Sequence, residues 1–152
     1  AIRYSNTEYY EPVFDSERPI LSTADMPIWY TSKDCEVARK SHINLVVLDS
    51  TWESTEAFHL DHNPEIEAWV KNDHLNFEIL YIFNGTIKKY RPDYIVRMKN
   101  GEMGIIETKG QETEQDRVKK RFLQEWIDAV NQHGGFGAWR LIRSKSLLKG
   151  EN

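Results

Sequence analysis

Apolar side chains return every four positions between residues 115 and 131: Val118, Phe122, Trp126 and Val130, with Leu123 and Ile127 beside them. That period predicts a helix with its stripe in the core. Gly134-Gly135 supplies the stop, and Lys119, Lys120 and Arg121 interrupt the stripe on the first turns. Upstream the pattern shortens to that of strands. FEILYIF (77–83) reads as a strand leading into Asn84-Gly85, a two-residue hairpin signal. Residues 86–90 and 93–98 read as the next strand, made irregular by Pro92. EMGIIET (102–108) is its partner, and FGAWRLI (136–142) is a last strand. HINLVVL (42–48) predicts a short strand, and Asp49-Ser50-Thr51 offers N-cap chemistry for a helix over 51–61. A second short helix is expected from Pro64 to about Asn72, with the proline in its first turn. The resulting order, α-β-β-β-α-β, predicts an α/β fold: a central mixed sheet flanked by helices. Residues 1–40 lack a period and carry Pro12, Pro19 and Pro27. They are expected to form an irregular arm, anchored by Tyr9, Tyr10, Phe14, Trp29 and Tyr30, on a main domain over 41–152.

One hairpin departs from apolar patterning. In YRPDYIVRMKNGEMGIIETKG (90–110), Asp93 and Glu107 stand where core strands should be apolar, and Lys109 follows two residues later. Residues i and i+2 of a strand face one side, so Glu107 and Lys109 point together. The face of Asp93 depends on register. A two-residue loop at Asn100-Gly101 pairs Tyr94 with Glu107 and leaves Asp93 on the wrong side. A three-residue loop of Lys99, Asn100 and Gly101, with Gly101 left-handed, pairs Met98 with Glu102 and sets Asp93 opposite Glu107. A bulge near Pro92 would do the same. Two carboxylates so close repel. Lys109 in an ion pair, or a divalent cation between the carboxylates, would offset the repulsion; oxygen ligands without histidine suit Mg²⁺ or Mn²⁺.

Composition narrows the classes. The chain has 152 residues, 39% apolar and 29% charged, with net charge −4. That argues against a generally basic nucleic-acid coat but leaves room for a local basic patch. No apolar run approaches the roughly 20 residues of a membrane span. One cysteine, Cys35, excludes an internal disulfide framework and fits a cytoplasmic setting. His59 and His62, with Asp61 between them, have a spacing that can bind zinc, but no second ligand pair accompanies them, so surface histidines are expected. The chain opens on Ala1 and is expected to be a piece of something longer.

Pro92-Asp93 followed by Glu107-Thr108-Lys109 resembles the PD-(D/E)xK nuclease signature. Tyr90 to Arg97, Ile106 to Gly110, Lys71-Asn72-Asp73-His74-Leu75 and Trp126 to Asn131 are similar to the C-terminal endonuclease domain of type III restriction enzymes, over roughly residues 42–142. The resemblance implies a restriction-endonuclease-like fold with an αβββαβ core, and Mg²⁺-dependent hydrolysis of DNA phosphodiester bonds, with Mn²⁺ as a substitute. It implies Asp93 and Glu107 as metal ligands, the Thr108 carbonyl as a further ligand and Lys109 as the group that orients or activates water. An acidic residue from the first helix is implied as well: Glu53, or Glu56 one turn on. Lys119 is the implied polar contribution of the long helix, with Gln111 second.

Lys88, Lys89 and Arg91, together with Gln111, are the expected DNA contacts. The implied partners are a helicase-like ATPase motor and a methylation-linked recognition subunit. The motor's phosphate-loop signature is missing here, so an isolated domain is expected to be weakly active or nonspecific. Cutting both strands needs two sites, hence a dimer or paired complexes. The runner-up readings are a non-catalytic DNA-binding or scaffold domain, and a repair or transposon nuclease of the same superfamily.

Overall fold

The computed structural model describes residues 3–4, 8–9, 16–17, 19, 22–108 and 112–144. The predicted Lys109 and Gln111 lie outside the described residues, as do Tyr10 and Phe14. In chain order the elements are β1 (Arg3–Tyr4), β2 (Glu8–Tyr9), a 3-10 turn (Thr23–Asp25), β3 (Cys35–Val37), β4 (Leu45–Val47), α1 (Thr51–His62), β5 (Ile66–Lys71), β6 (Ile79–Phe83), β7 (Thr86–Tyr90), β8 (Tyr94–Met98), β9 (Met103–Glu107), α2 (Glu114–His133) and β10 (Trp139–Arg143). The fold is mixed α/β, and its largest sheet has the order β10-β9-β8-β5. β5 and β9 run antiparallel to β8, and β10 runs parallel to β9.

Side-chain alternation gives this sheet two buried faces. Trp69, Tyr94, Val96, Met98, Ile106 and Ile142 pack with Ala57 and Leu60 of α1. Val70, Ile95 and Ile105 pack with Leu123 and Ile127 of α2 and with Ile79, Tyr81 and Tyr90 of the β6–β7 hairpin. Leu123 and Ile127 are thus the deepest residues of the long helix, while Val118, Phe122 and Trp126 are half-buried beside them. Gly104 lets the sheet close: a Cβ there would stand 2.2 Å from Ile142 Cδ1. A capping box starts α2, with Asp116 N donating to Thr113 Oγ1 at 3.2 Å and Thr113 N to Asp116 Oδ2 at 3.1 Å.

Two expectations are overturned. The segment after Pro64 is strand β5, not a second helix. Helix α1 ends at His62 with Asn63 as its cap, and Pro64 sits in the turn that follows. Ile66, Trp69 and Val70 then find apolar partners on both faces of the sheet, and that burial outweighs helix propensity. Likewise, residues 86–90 and 93–98 are not one strand: β7 pairs only with β6, and β8 enters the main sheet. Pro92, buried and without an amide hydrogen, separates them.

The N-terminal segment is tied to this body. Trp29 stacks on His74 at 4.0 Å between ring centroids, and the Ser41–Trp69 bridge brings the chain alongside β5. Cys35 is half-buried in β3, its thiol directed at Lys33 O. Among the described residues, no helix is long and apolar enough to cross a membrane.

The strongest tie is Asp61. Its carboxylate accepts from Arg39 N at 2.9 Å, Lys40 N at 2.8 Å and the Trp69 indole at 3.1 Å. Burial pushes its pKa up, but these donors outweigh it and hold the carboxyl below its ordinary 3.8. A depressed folded pKa means stability that is present above the ordinary value and lost as pH falls through the lower one. Asp61→Ala is expected to cost about 1–3 kcal/mol by leaving the buried Trp69 indole and two partly buried amides without an acceptor. The measurement is the urea midpoint at neutral pH, and the deficit should shrink on acidification below the ordinary carboxylate range.

Candidate carboxylate site at one end of the sheet

The register of the β8–β9 hairpin decides whether Asp93 and Glu107 meet. Met98 N donates to Glu102 O at 2.8 Å and Gly101 N to Met98 O at 2.9 Å. Lys99, Asn100 and Gly101 therefore form a three-residue loop, and Gly101 has φ +88°. Asn100 fastens the turn, its Oδ1 accepting from Glu102 N at 3.0 Å. Counting along the pairs from Arg97–Met103 to Tyr94–Ile106 sets Asp93 opposite Glu107. Of the registers open to the sequence, this is the one that joins the two carboxylates, and it needs no bulge between β8 and β9.

Local donors stabilise the pair. Thr108 N and Thr108 Oγ1 both donate to Asp93 Oδ2 at 2.8 Å. Asp93 N donates to Glu107 Oε1 at 3.3 Å. These bonds hold both carboxylates half-buried at the ends of two strands, with Asp93 oriented by its neighbour across the ladder. This compensation was not anticipated from the sequence, which offered only Lys109 or a cation.

Asp93 borders an open cavity of about 230 Å³, lined also by Asp49, Glu53, Lys71, Asn72, Asp73, Arg91 and Pro92. The space is below the roughly 300–1,000 Å³ of small-molecule pockets and suits an ion or a single phosphate group better. Three elements converge there: the start of α1, the end of β5 and the approach to β8. Glu53 is the residue of α1 that lines this cavity. Its Oε2 accepts from Asp49 N at 2.6 Å and from Lys71 Nζ at 3.1 Å. Glu56, the alternative, is buried and accepts from Ser144 Oγ at 2.6 Å.

Sequence reasoning missed Lys71 because it assigned the residue to a helix. As the last residue of β5 it pairs with Tyr94. It is 6% exposed, and its ammonium reaches Val47 O at 2.8 Å, Asp49 at 2.9 Å and Asp73 at 3.6 Å besides Glu53. Burial works against the ammonium, but Asp49, Asp73 and Glu53 outweigh it and raise the Lys71 pKa. Burial also pushes the Asp73 carboxyl up. Next in sequence, Asn72 N donates to Asp93 O at 2.9 Å, and Asn72 Nδ2 to Pro92 O at 3.0 Å and Phe77 O at 2.8 Å. The available signal was a polar triplet, Lys71-Asn72-Asp73, closing an apolar run.

Two buried hydroxyls flank the carboxylates: that of Tyr90 sits against Glu107, and that of Tyr94 has no hydrogen-bond partner. Burial raises both pKa values; Glu107 adds most to Tyr90, and Glu53 and Asp93 add to Tyr94. Lys119 stands over the Tyr90 ring at 5.7 Å and lies 3.6 Å from Asp116, which places it on the Glu107 side from α2. Of the expected DNA contacts, Arg91 and Lys89 are both paired with Glu78, at 2.5 and 3.1 Å. Lys88 lies over the Phe83 ring.

His62 stacks on Phe58 with ring centroids 4.0 Å apart and its Nδ1 lies 2.8 Å from Phe58 O, while both Asp61 oxygens accept from Arg39 N. Among the described residues, no group of three or more His, Cys, Asp or Glu side chains is arranged to hold a metal ion. Asp93 and Glu107 nevertheless face one another across the ladder, and the unpartnered buried hydroxyl of Tyr94 lies near Asp93. Two carboxylates are oxygen donors of the hard kind that Mg²⁺ or Mn²⁺ takes.

Replacing Gly101 tests the register directly. A side chain at φ +88° is strained whatever space surrounds it. Gly101→Val is expected to cost about 1–3 kcal/mol, read as a lower thermal midpoint. Gly101→Asn, which tolerates the left-handed region better, should lose less. No protein-family model, no curated protein and no solved structure matches this chain.

Proposed function

We propose that this protein is a metal-dependent endonuclease domain of the PD-(D/E)xK type that hydrolyses DNA phosphodiester bonds, as the nuclease module of a type III restriction system. One observation carries the reading: the three-residue loop sets Asp93 opposite Glu107 at the sheet end where Glu53 lines the same cavity. The chain order α1, β5, β8, β9, α2 and β10, with β6–β7 as an insertion, supports a restriction-endonuclease-like core.

In this reading Asp93 and Glu107 hold Mg²⁺ or Mn²⁺, with the Thr108 carbonyl as the further oxygen. A bound divalent cation supplies charge neutralisation at the phosphate and a more acidic water. Thr108 donates twice to Asp93 Oδ2 and leaves Oδ1 outside those bonds, so Oδ1 is the oxygen that would hold such a cation. Lys109, the water-orienting group that the resemblance implies, would add positive charge where negative charge develops. Glu53 is held by Lys71 and the Asp49 amide and shapes the cavity from α1. Arg91 and Lys89 meet the DNA backbone by exchanging Glu78 for phosphate. The motor and recognition subunits of such a system would deliver the DNA, and pairing of two domains would cut both strands.

The test is plasmid nicking in Mg²⁺ or Mn²⁺ by the protein beside Asp93→Ala and Lys109→Ala. The expected outcome is nicking by the unaltered protein alone, with both variants reduced by about 100-fold or more. Equal nicking by all three overturns the assignment. DNA binding without nicking selects the scaffold reading.

A further inference from the structure

The β6–β7 hairpin is a two-stranded ribbon that pairs with no other strand among the described residues. Side-chain alternation gives it two unlike faces. Ile79, Tyr81 and Tyr90 turn inward and are buried with Leu123 and Ile127 of α2. Leu80, Ile82 and Ile87 turn outward and are 52%, 54% and 69% exposed. Ile82 and Ile87 pair directly, and Leu80 pairs with Lys89, so the three aliphatic side chains form one patch. Lys89 and Arg91 edge that patch at the base of the ribbon, where Glu78 binds both. Lys88, Lys89 and Arg91 against Glu78 alone leave residues 78–91 with a surplus of positive charge, on a chain of net charge −4. The base of the ribbon also adjoins the candidate site, because Arg91 lines the cavity beside Asp93. From there the strands run about 17 Å to the Asn84-Gly85 turn.

We propose that this outer face is a contact surface for duplex DNA, seating Leu80, Ile82 and Ile87 against base edges in the major groove while Lys89 and Arg91 meet the phosphates beside it. The proposal rests on the nuclease reading for the choice of DNA as the ligand. A major groove about 12 Å wide admits a two-stranded β-ribbon, whereas the minor groove is about half as wide. Branched aliphatic side chains in the major groove meet thymine methyl groups, a contact that needs no hydrogen-bonding side chain. The positive surplus answers the phosphates, and a duplex held on the ribbon lies beside the cavity through Arg91. A second copy of this chain fits the face less well. Three half-exposed aliphatic side chains offer far less than the roughly 800 Å² per partner of a standard interface, and two positive ribbons would face one another.

The test is fluorescence anisotropy of a short, labelled, A·T-rich duplex in EDTA, which reads binding apart from cleavage. The double variant Ile82→Ser, Ile87→Ser should weaken binding about 10-fold at every salt concentration and leave the salt dependence unchanged. Arg91→Gln should instead lower the slope of log affinity against log salt by about one. Val37→Ser, which removes an exposed apolar side chain from β3, should bind as the unaltered protein does. Uracil in place of thymine should weaken binding by the unaltered protein and leave that of the double serine variant unchanged. Circular dichroism checks the fold. If the double variant does not fold, Ile87→Ser alone, at the most exposed of the three positions, should weaken binding about threefold. The proposal is overturned if folded serine variants bind as tightly as the unaltered protein, if the unaltered protein does not bind the duplex, or if uracil makes no difference to it. It is also overturned if the unaltered protein sediments as a dimer that the serine substitutions dissociate, which would assign the face to a second copy. The nuclease reading fails separately: ribbon-dependent binding without nicking in Mg²⁺ or Mn²⁺ removes the catalysis and keeps the ribbon. Nicking by the double serine variant at unchanged KM keeps the catalysis and removes the ribbon.

Discussion

Everything at the acidic end of this fold depends on strand parity in one hairpin. Side chains alternate with a period of two, so a single residue more or less in the loop moves a whole strand's side chains to the other face. With Lys99, Asn100 and Gly101 in the loop, Ile95 and Ile105 meet in one core layer, Tyr94 and Ile106 in the other, and Asp93 reaches Glu107. The apolar layers and the charged end are therefore one constraint. A slip that separated the carboxylates would also misplace four buried side chains, and burial of that apolar surface holds the register far more firmly than the turn could alone.

Charge is then balanced locally. The described acidic groups around the cavity are met by nearby donors: Lys71 for Asp49, Glu53 and Asp73, and Thr108 for Asp93. A buried ammonium is costly unless it is paired and fully bonded, and Lys71 is both. The start of α1 contributes as well, since Ser50 caps it and Glu53 folds back to the Asp49 amide. Carboxylates gathered at a helix N-terminus are stabilised by its unpaired N–H groups.

The elements that were misassigned share a physical cause. Pro64 followed by a mixed apolar segment is compatible with a helix start, and nothing local forbids one. β5 is a strand because β8 offers it a ladder and both core layers accept its side chains, and such partners are non-local. The Pro92 break has the same origin. Asn72, about twenty residues away, donates to the Pro92 and Asp93 carbonyls and fixes the chain where it enters a different sheet. The polar triplet after β5 was visible in the sequence, but its role depended on knowing that a strand ended there.

The sequence by itself determined the long helix, the Asn84-Gly85 turn, the capping of α1 and the candidate pair Asp93 and Glu107, because each is written in local period, turn chemistry or residue type. It also reduced the hairpin to a small set of registers with opposite consequences. Tertiary structure decided which register holds, which glutamate of α1 lines the cavity, and that Lys71 meets Asp49, Glu53 and Asp73. Those outcomes depend on contacts between segments 14 to 24 residues apart in the chain. Packing and charge compensation between distant segments are energies of the assembled fold, and no local window of sequence contains them.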